Sequence, residues 1–167
     1  MQNNDIIENL ISLYGNDVLR IATAYTHNIS VEEDIFQEVF IKVALNIDKF
    51  EKRSSEKTWI IRITINTCKD YLKSSWNKKV VPMETIESTS KSYSEEELLK
   101  EEKSEIIIQE ILKLPIKYKE VILLYYYQDL LTSDIAKILN LPETSVRTRL
   151  RRAREIIKEK LKIALEG

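Results

Sequence analysis

Six side chains able to hydrogen-bond a nucleic acid, Thr144, Ser145, Arg147, Thr148, Arg151 and Arg152, fall within nine residues of one another in the segment TSDIAKILNLPETSVRTRLRRARE. Val146, Leu150 and Ala153 recur at spacings of four and three, which marks the inner face of one helix and leaves those six pointing outward. An arginine can fork onto O6 and N7 of guanine, while serine and threonine serve phosphates or base edges, so the chemistry is recognition of duplex DNA by a helix from Ser145 to Arg154. A solvated basic helix held by pairs such as Arg151 with Glu155 would have the same composition, but the turn and caps before it favour a DNA reader.

A second polar group, Asp34, Gln37, Glu38 and Lys42, lies opposite an apolar stripe and is free to bind a partner. With His27, Asp34 and Glu38 form the chain's best case for a metal or acid–base cluster. His27 lies between two helices without a second His or Cys at ligand spacing, which gives such a site little support. Cys68 falls on an apolar stripe, where a thiol is core rather than nucleophile. The expectation is a binding protein without catalysis, cofactor, metal or small-molecule substrate.

These side chains need helices to hold them. Leu10, Ile11, Tyr14, Val18, Ile21, Ala22 and Tyr25 form one face of a first helix, ended by His27-Asn28-Ile29. Ser30 with Glu33 reads as a capping box opening a second helix, with Phe36, Val39, Phe40, Val43, Ala44 and Ile47 inward. After Phe50 the run EKRSSEK is a loop, and Ser55 or Thr58 caps a third helix to about Trp76, with Ile61, Ile65, Cys68 and Leu72 buried. Lys78 to about Ser94 reads as a linker, for it holds a proline, a Ser/Thr cluster and no apolar period. Beyond it Ile107, Ile111 and Leu114 belong to a helix stopped by Pro115, and Val121 to Tyr126 carry the next. Thr132 or Ser133 then caps a short helix with Ile135, Ala136 and Leu139 inward, Asn140 takes the left-handed turn, Leu141 plugs the corner and Pro142 opens the DNA-facing helix.

Composition agrees with an all-α fold. The 167 residues are 43% hydrophobic, with two glycines and three prolines, so helices are favoured and a glycine-rich phosphate loop is nearly impossible. One cysteine excludes an internal disulfide framework, and neither a leader nor a membrane span is legible, which points to the cytoplasm. The net charge of −1 hides strong blocks. Residues 1–50 carry three basic against eight acidic side chains, 51–81 eight against three, 82–105 three against eight, and 141–167 eight against four. Two separate basic segments argue for a nucleic-acid partner more strongly than the mean charge argues against one.

Two stretches together resemble the extracytoplasmic-function (ECF) sigma factors of bacterial RNA polymerase. They are VEEDIFQEVFIKVALNIDKF followed by TWIIRITINTCKDYL, and LPIKYKEVILLYYYQDLLTSDIAKILNLPETSVRTRLRRARE. The resemblance covers nearly the whole chain apart from the linker. It implies two small helical domains, region 2 over 1–77 and region 4 over 104–167, joined by an acidic flexible linker over 78–103 that in relatives runs through the polymerase RNA exit path. The layout is the minimal one of the family, without region 1.1 or a full region 3.

In that family region 2 docks on the clamp helices of the polymerase β′ subunit, and Asp34, Gln37 and Glu38 match the surface that does so. Asn66 matches the position near a −10 base flipped from the nontemplate strand, with Arg62, Lys69, Asp70 and Lys73 in its helical neighbourhood. Capture of an unstacked base needs donors for its edge and cations for the phosphates, which Asn with Arg and Lys supply. The loop Lys52, Arg53, Ser54 and Ser55 lines the same pocket, although many relatives carry Gly and Phe where this chain has Lys52 and Glu56. Trp59 matches an aromatic at the start of the −10 helix and is equally readable as core. Thr144, Ser145, Arg147, Thr148, Arg151 and Arg152 belong to the helix that reads −35 duplex DNA in region 4, which also touches the β flap. The Tyr125-Tyr126-Tyr127 run is expected to be core with a wet edge. Relatives are usually held inactive by an anti-sigma factor, often membrane-anchored. A dimeric repressor is the competing reading, but no heptad seam offers a dimer surface, and it would leave the Asn66 helix without a purpose.

Overall fold

The computed structural model describes residues 2–76 and 105–166, which fall in two compact units. The linker expected over Lys78 to Ser94, and the acidic segment 78–103 as a whole, lie outside the described residues. Every regular element among the described residues is helical, as expected.

The first unit is a bundle of α1 (Gln2–Thr26), α2 (Ile29–Asn46) and α3 (Glu56–Trp76), each packed against the other two. Leu10, Val18, Ile21 and Tyr25 of α1, Ile35, Val39 and Val43 of α2, and Ile60, Ile61, Ile65 and Cys68 of α3 form its core. Gly15, inside α1, faces the Phe36 ring of α2, which a Cβ there would meet at 3.4 Å, the near edge of ordinary contact.

Two details of α2 differ from the sequence expectation. The cap is Asn28, not Ser30: Asn28 Oδ1 accepts from the amides of Ser30 at 3.0 Å and Val31 at 3.4 Å, so Ser30 is already helical. His27, at φ 53, reverses the chain and brings Asn28 to the helix mouth. The buried stripe is Val31, Ile35, Val39, Phe40 and Val43: Val39, Phe40 and Val43 are buried as expected, but Phe36 is half-buried, Ala44 is exposed and Ile47 sits half-buried in a following 3-10 turn (Ile47–Lys49). Ser55, by contrast, caps α3 as expected, its Oγ accepting from the Thr58 amide at 3.1 Å.

The second unit contains α4 (105–112), α5 (Ile116–Ile122), α6 (Thr132–Leu139) and α7 (Glu143–Glu166). Pro115 separates α4 from α5, and Lys119 Nζ donates across that corner to the Leu112 carbonyl at 3.2 Å. Burial pushes the Lys119 ammonium below the ordinary lysine range. Ile111 and Leu114 are buried, but Ile107 is not a core residue, being 37% exposed. Helix α5 runs into a π turn at Leu123–Tyr127. The wider turn rotates the tyrosines away from the interior, leaving Tyr126 50% and Tyr127 44% exposed, so this run is mostly surface rather than core.

Asn28→Ala is expected to lower the unfolding free energy of the first unit by about 1 kcal/mol, and Ser30→Ala to change it by less than about 0.5 kcal/mol. Urea unfolding of both variants measures the contrast.

Candidate nucleic-acid and partner interfaces

Helices α6 and α7 form a helix-turn-helix, and its corner is made by one residue. Asn140 stands at φ 54, ψ 50, and the amides of Asn140 and Leu141 both return to the Ala136 carbonyl, the second at 2.9 Å. Asn tolerates this left-handed conformation because its short side chain adds little clash. Pro142 then accepts from the Ser145 amide at 3.0 Å and starts α7. Ile135, Ala136 and Leu139 of α6 are buried, as are Val146, Leu150 and Ala153 of α7. The expected inner faces are therefore those observed. Thr132 does not cap α6, however: Leu131 holds the cap position, and the Thr132 hydroxyl donates to Glu143 Oε1 at 2.7 Å.

With the rotation of α7 fixed, its arginines divide by what they touch. Arg149 is half-buried, 3.8 Å from the buried carboxylate of Glu120. Arg154 donates from Nε to the Tyr126 hydroxyl at 2.6 Å and lies over the Tyr125 and Tyr126 rings. Arg147 is exposed and paired with Glu143 at 2.9 Å. Arg151 and Arg152 are exposed and form no ion pair among the described residues, Glu155 included. Thr144 is exposed beside them; Ser145 and Thr148 are half-buried, with Thr148 donating to the Thr144 carbonyl at 3.0 Å. This is a basic face with hydroxyls along one edge.

A concave patch of about 340 Å³ extends that face beyond α7. Thr144, Ser145, Thr148 and Arg152 line one side and Lys117 and Tyr118 of α5 the other. The two α5 residues were missed in the sequence because Lys117 carries no helix-turn-helix signal; only the packing of α5 on α7 brings it there. On another side of the unit, an apolar groove of about 620 Å³ lies among Ile107, Ile111, Ile122, Ile157, Leu161 and Leu165, with Arg154, Lys158 and Lys162 also lining it.

In the first unit α3 carries a polar stripe. Arg62, Asn66, Asp70 and Lys73 are exposed and Lys69 is half-buried. Spaced by three and four, they follow one face for roughly 17 Å. At its N-terminal end Trp59 is half-buried and stacks on Phe50, with ring centroids 4.7 Å apart and planes 28° apart, so one of its faces is already covered. That stack and the Ser55 cap pin the two ends of the loop 51–55. Between them Lys52 is exposed at φ 55, the conformation that glycine adopts most cheaply, and Arg53 pairs with Glu51 at 2.7 Å. Ser54 is half-buried in the same loop. Lys52 thus takes a glycine-like backbone shape without being glycine.

Asp34, Gln37 and Glu38 are all exposed on α2. Lys42 anchors this face to α3: its Nζ lies 3.2 Å from Glu38 and donates to Thr67 Oγ1 at 3.0 Å. Ile41 and Leu45, 58% and 73% exposed, extend the same side of the helix, and they were missed because they fall outside the expected apolar stripe. Their misphasing was the available signal. No group of three His, Cys, Asp or Glu able to hold a metal occurs among the described residues. Cys68 is fully buried and its thiol is pushed up to about 12 by that burial, so it is inert at neutral pH.

The family profile described as Sigma-70 region 2 matches residues 10–78, and that described as Sigma-70, region 4 matches residues 104–157. The chain is 31% identical to the ECF RNA polymerase sigma factor SigW of Bacillus subtilis, over 95% of this chain and 90% of the relative. It is 33% identical to the ECF RNA polymerase sigma-E factor of Haemophilus influenzae, over 91% and 85%. Among solved structures, the sigma factor RpoE of Bartonella quintana, seen with the anti-sigma factor NepR, shares its fold with a TM-score of 0.73 at 20% identity, over 93% of this chain and 96% of that one.

Arg152→Ala is expected to reduce the slope of log binding constant against log salt for duplex DNA by about one, leaving the thermal midpoint in place. Arg154→Ala is expected to leave that slope unchanged and to destabilise the second unit by about 1 kcal/mol. Fluorescence titrations across a salt series, with melting curves of each variant, separate the two.

Proposed function

Because the chain belongs to the ECF sigma factors of bacterial RNA polymerase, we propose that its two exposed basic helix faces, on separate units, read two separate stretches of one promoter. Region 2, over 1–77, binds core polymerase and the −10 element. Region 4, over 104–167, reads the −35 element, and 78–103 links them. The observation that carries this reading is the pairing of an Asn66 stripe on α3 with an unpaired Arg151–Arg152 face on α7.

On α7, Arg147 addresses a base edge in the major groove, Arg151 and Arg152 address phosphates, and Thr144, Ser145 and Thr148 take the remaining backbone or base-edge contacts. Lys117 adds a phosphate contact from α5. On α3, Asn66 hydrogen-bonds a nontemplate-strand base once it leaves the stack. Arg62, Lys69 and Lys73 hold its phosphates, and Asp70 accepts from an exocyclic amine. The loop Lys52 to Ser55 closes the pocket. Trp59 serves as its wall rather than as a free stacking platform, since Phe50 covers one face.

Asp34, Gln37 and Glu38, extended by Ile41 and Leu45, form the surface for the β′ clamp helices: a charged rim beside an apolar strip is what a helix-on-helix interface uses. The apolar groove beside α7 suits a partner's apolar side chains, whether from the β flap or from an anti-sigma factor. The chain works by binding, and the bond-making belongs to the polymerase. No helix among the described residues is long and apolar enough to cross a membrane. Its compartment is that of its polymerase, the cytoplasm, and an anti-sigma factor would be the means of holding it at a membrane.

Purified chain mixed with core polymerase and a promoter library is expected to yield promoter-dependent transcripts. No transcript and no core binding would reject the reading. Asn66→Ala is expected to cost about 1–3 kcal/mol of −10 discrimination with core affinity unchanged, and equal loss of both would remove Asn66 from the base-capture role.

A further inference from the structure

Glu143 is an acid in the first turn of the helix that faces DNA, where a negative charge opposes the phosphates. A single oxygen, Oε1, accepts from Thr132 Oγ1 at 2.7 Å and from Arg147 at 2.9 Å. Thr132 is the first residue of α6 and Glu143 the first of α7, so that atom joins the opening turns of both helices and one arginine. An acid near a helix N-terminus is favourable in any rotamer, through the helix dipole. The dipole alone does not require the carboxylate to turn toward α6 and grip Thr132.

Arginine presents five N–H donors in a rigid planar fork. Glu143 holds one end of the Arg147 fork, which leaves other donors directed away from the pair. The pair has no net charge, so Arg147 gains little from the field of the phosphates, and what remains to it is directional hydrogen bonding. Arg151 and Arg152 carry unpaired charge on the same face even though Glu155 stands at pairing distance in the sequence, so the contrast with Arg147 is one of side-chain geometry. The Thr132 hydrogen bond, with Arg147 as a further cause, keeps the Glu143 carboxyl below the usual carboxylate range, so the pair is ionised wherever DNA is bound.

We propose that Glu143, itself latched by Thr132, is a positioning residue that makes Arg147 a base reader instead of a phosphate clamp and so sets sequence preference at one base pair. This rests on the reading of α7 as the DNA-recognising helix. It concerns what commits Arg147 to a base rather than to a phosphate, for which that reading gives no cause.

The test selects from a pool of short duplexes with a randomised core, using the full chain, and measures affinity for one fixed unrelated duplex in parallel. Arg147→Ala identifies the base pair at which preference is lost. At that position Glu143→Gln is expected to lower preference roughly tenfold, and to raise affinity for the unrelated duplex by about threefold as a negative charge leaves the phosphate-facing surface. Thr132→Val keeps the charge and breaks the latch, so preference is expected to fall with no gain on the unrelated duplex. In the Arg147→Ala background neither change should alter preference further. If Glu143→Gln keeps wild-type preference and only lowers the melting midpoint, Glu143 is a helix-end stabiliser and the proposal fails. If it shifts preference as much without Arg147, Glu143 reads the base itself and the proposal also fails. If the wild-type chain enriches no sequence, the DNA-reading premise has failed, and the latch fails with it.

Discussion

Burial of Val146, Leu150 and Ala153 fixes the rotation of α7, and the chemistry of the second unit depends on that rotation. All three are 2% exposed or less, so turning the helix would bring polar atoms into the core at a cost of several kcal/mol. Five arginines follow from Arg147 to Arg154, and their roles are set by their angle from that stripe. Arg149 points back to Glu120, Arg154 to the tyrosines of the π turn, and Arg151 and Arg152 outward. A basic run is thereby sorted into side chains that hold the domain and side chains free to meet DNA.

The same logic governs the first unit with a different partner chemistry. Ile60, Ile61, Thr64, Ile65 and Cys68 seat α3 in the bundle, which presents the Arg62, Asn66 and Lys73 stripe outward. Lys42 ties α2 to α3, its Nζ donating to Thr67 while it pairs with Glu38, so the acidic face of α2 is joined to the helix that carries the polar stripe. In the proposed reading, the surface for polymerase and the surface for an unpaired strand thus sit on neighbouring, directly bonded helices of one unit. That arrangement suits a protein whose strand capture must be coupled to its place on the enzyme.

The helix-turn-helix was legible in the sequence down to single residues, because the Val146 stripe, the Asn140 turn and the Pro142 start all depend on local spacing. What was not legible depended on chain direction or on neighbours. Asn28 caps α2 beside His27, which adopts a left-handed conformation, and Thr132 is already the first helical residue behind Leu131, its hydroxyl donating to Glu143 across the turn. The π turn after α5 shifts the helical phase by part of a residue, which is why the tyrosine run faces water. Among the described residues, four non-glycine positions have positive φ, His27, Lys52, Asp129 and Asn140, and Gly15 does not. Of these Lys52 is the least expected, since only the loop's two anchored ends impose it. Resemblance to a family located Asn66, which composition and spacing alone would have left as an ordinary surface amide.

In the proposed reading, α3 and α7 address different stretches of one promoter within a single complex with core polymerase. Iron–EDTA tethered to Ser74→Cys in α3 and, separately, to Glu155→Cys in α7 tests it directly, because the native Cys68 is buried, with its thiol held at about 12, and stays unlabelled. Strand cuts are expected near the −10 element from position 74 and near the −35 element from position 155, only when core polymerase is present. Cuts at one shared place from both positions, or the same pattern without polymerase, would contradict it.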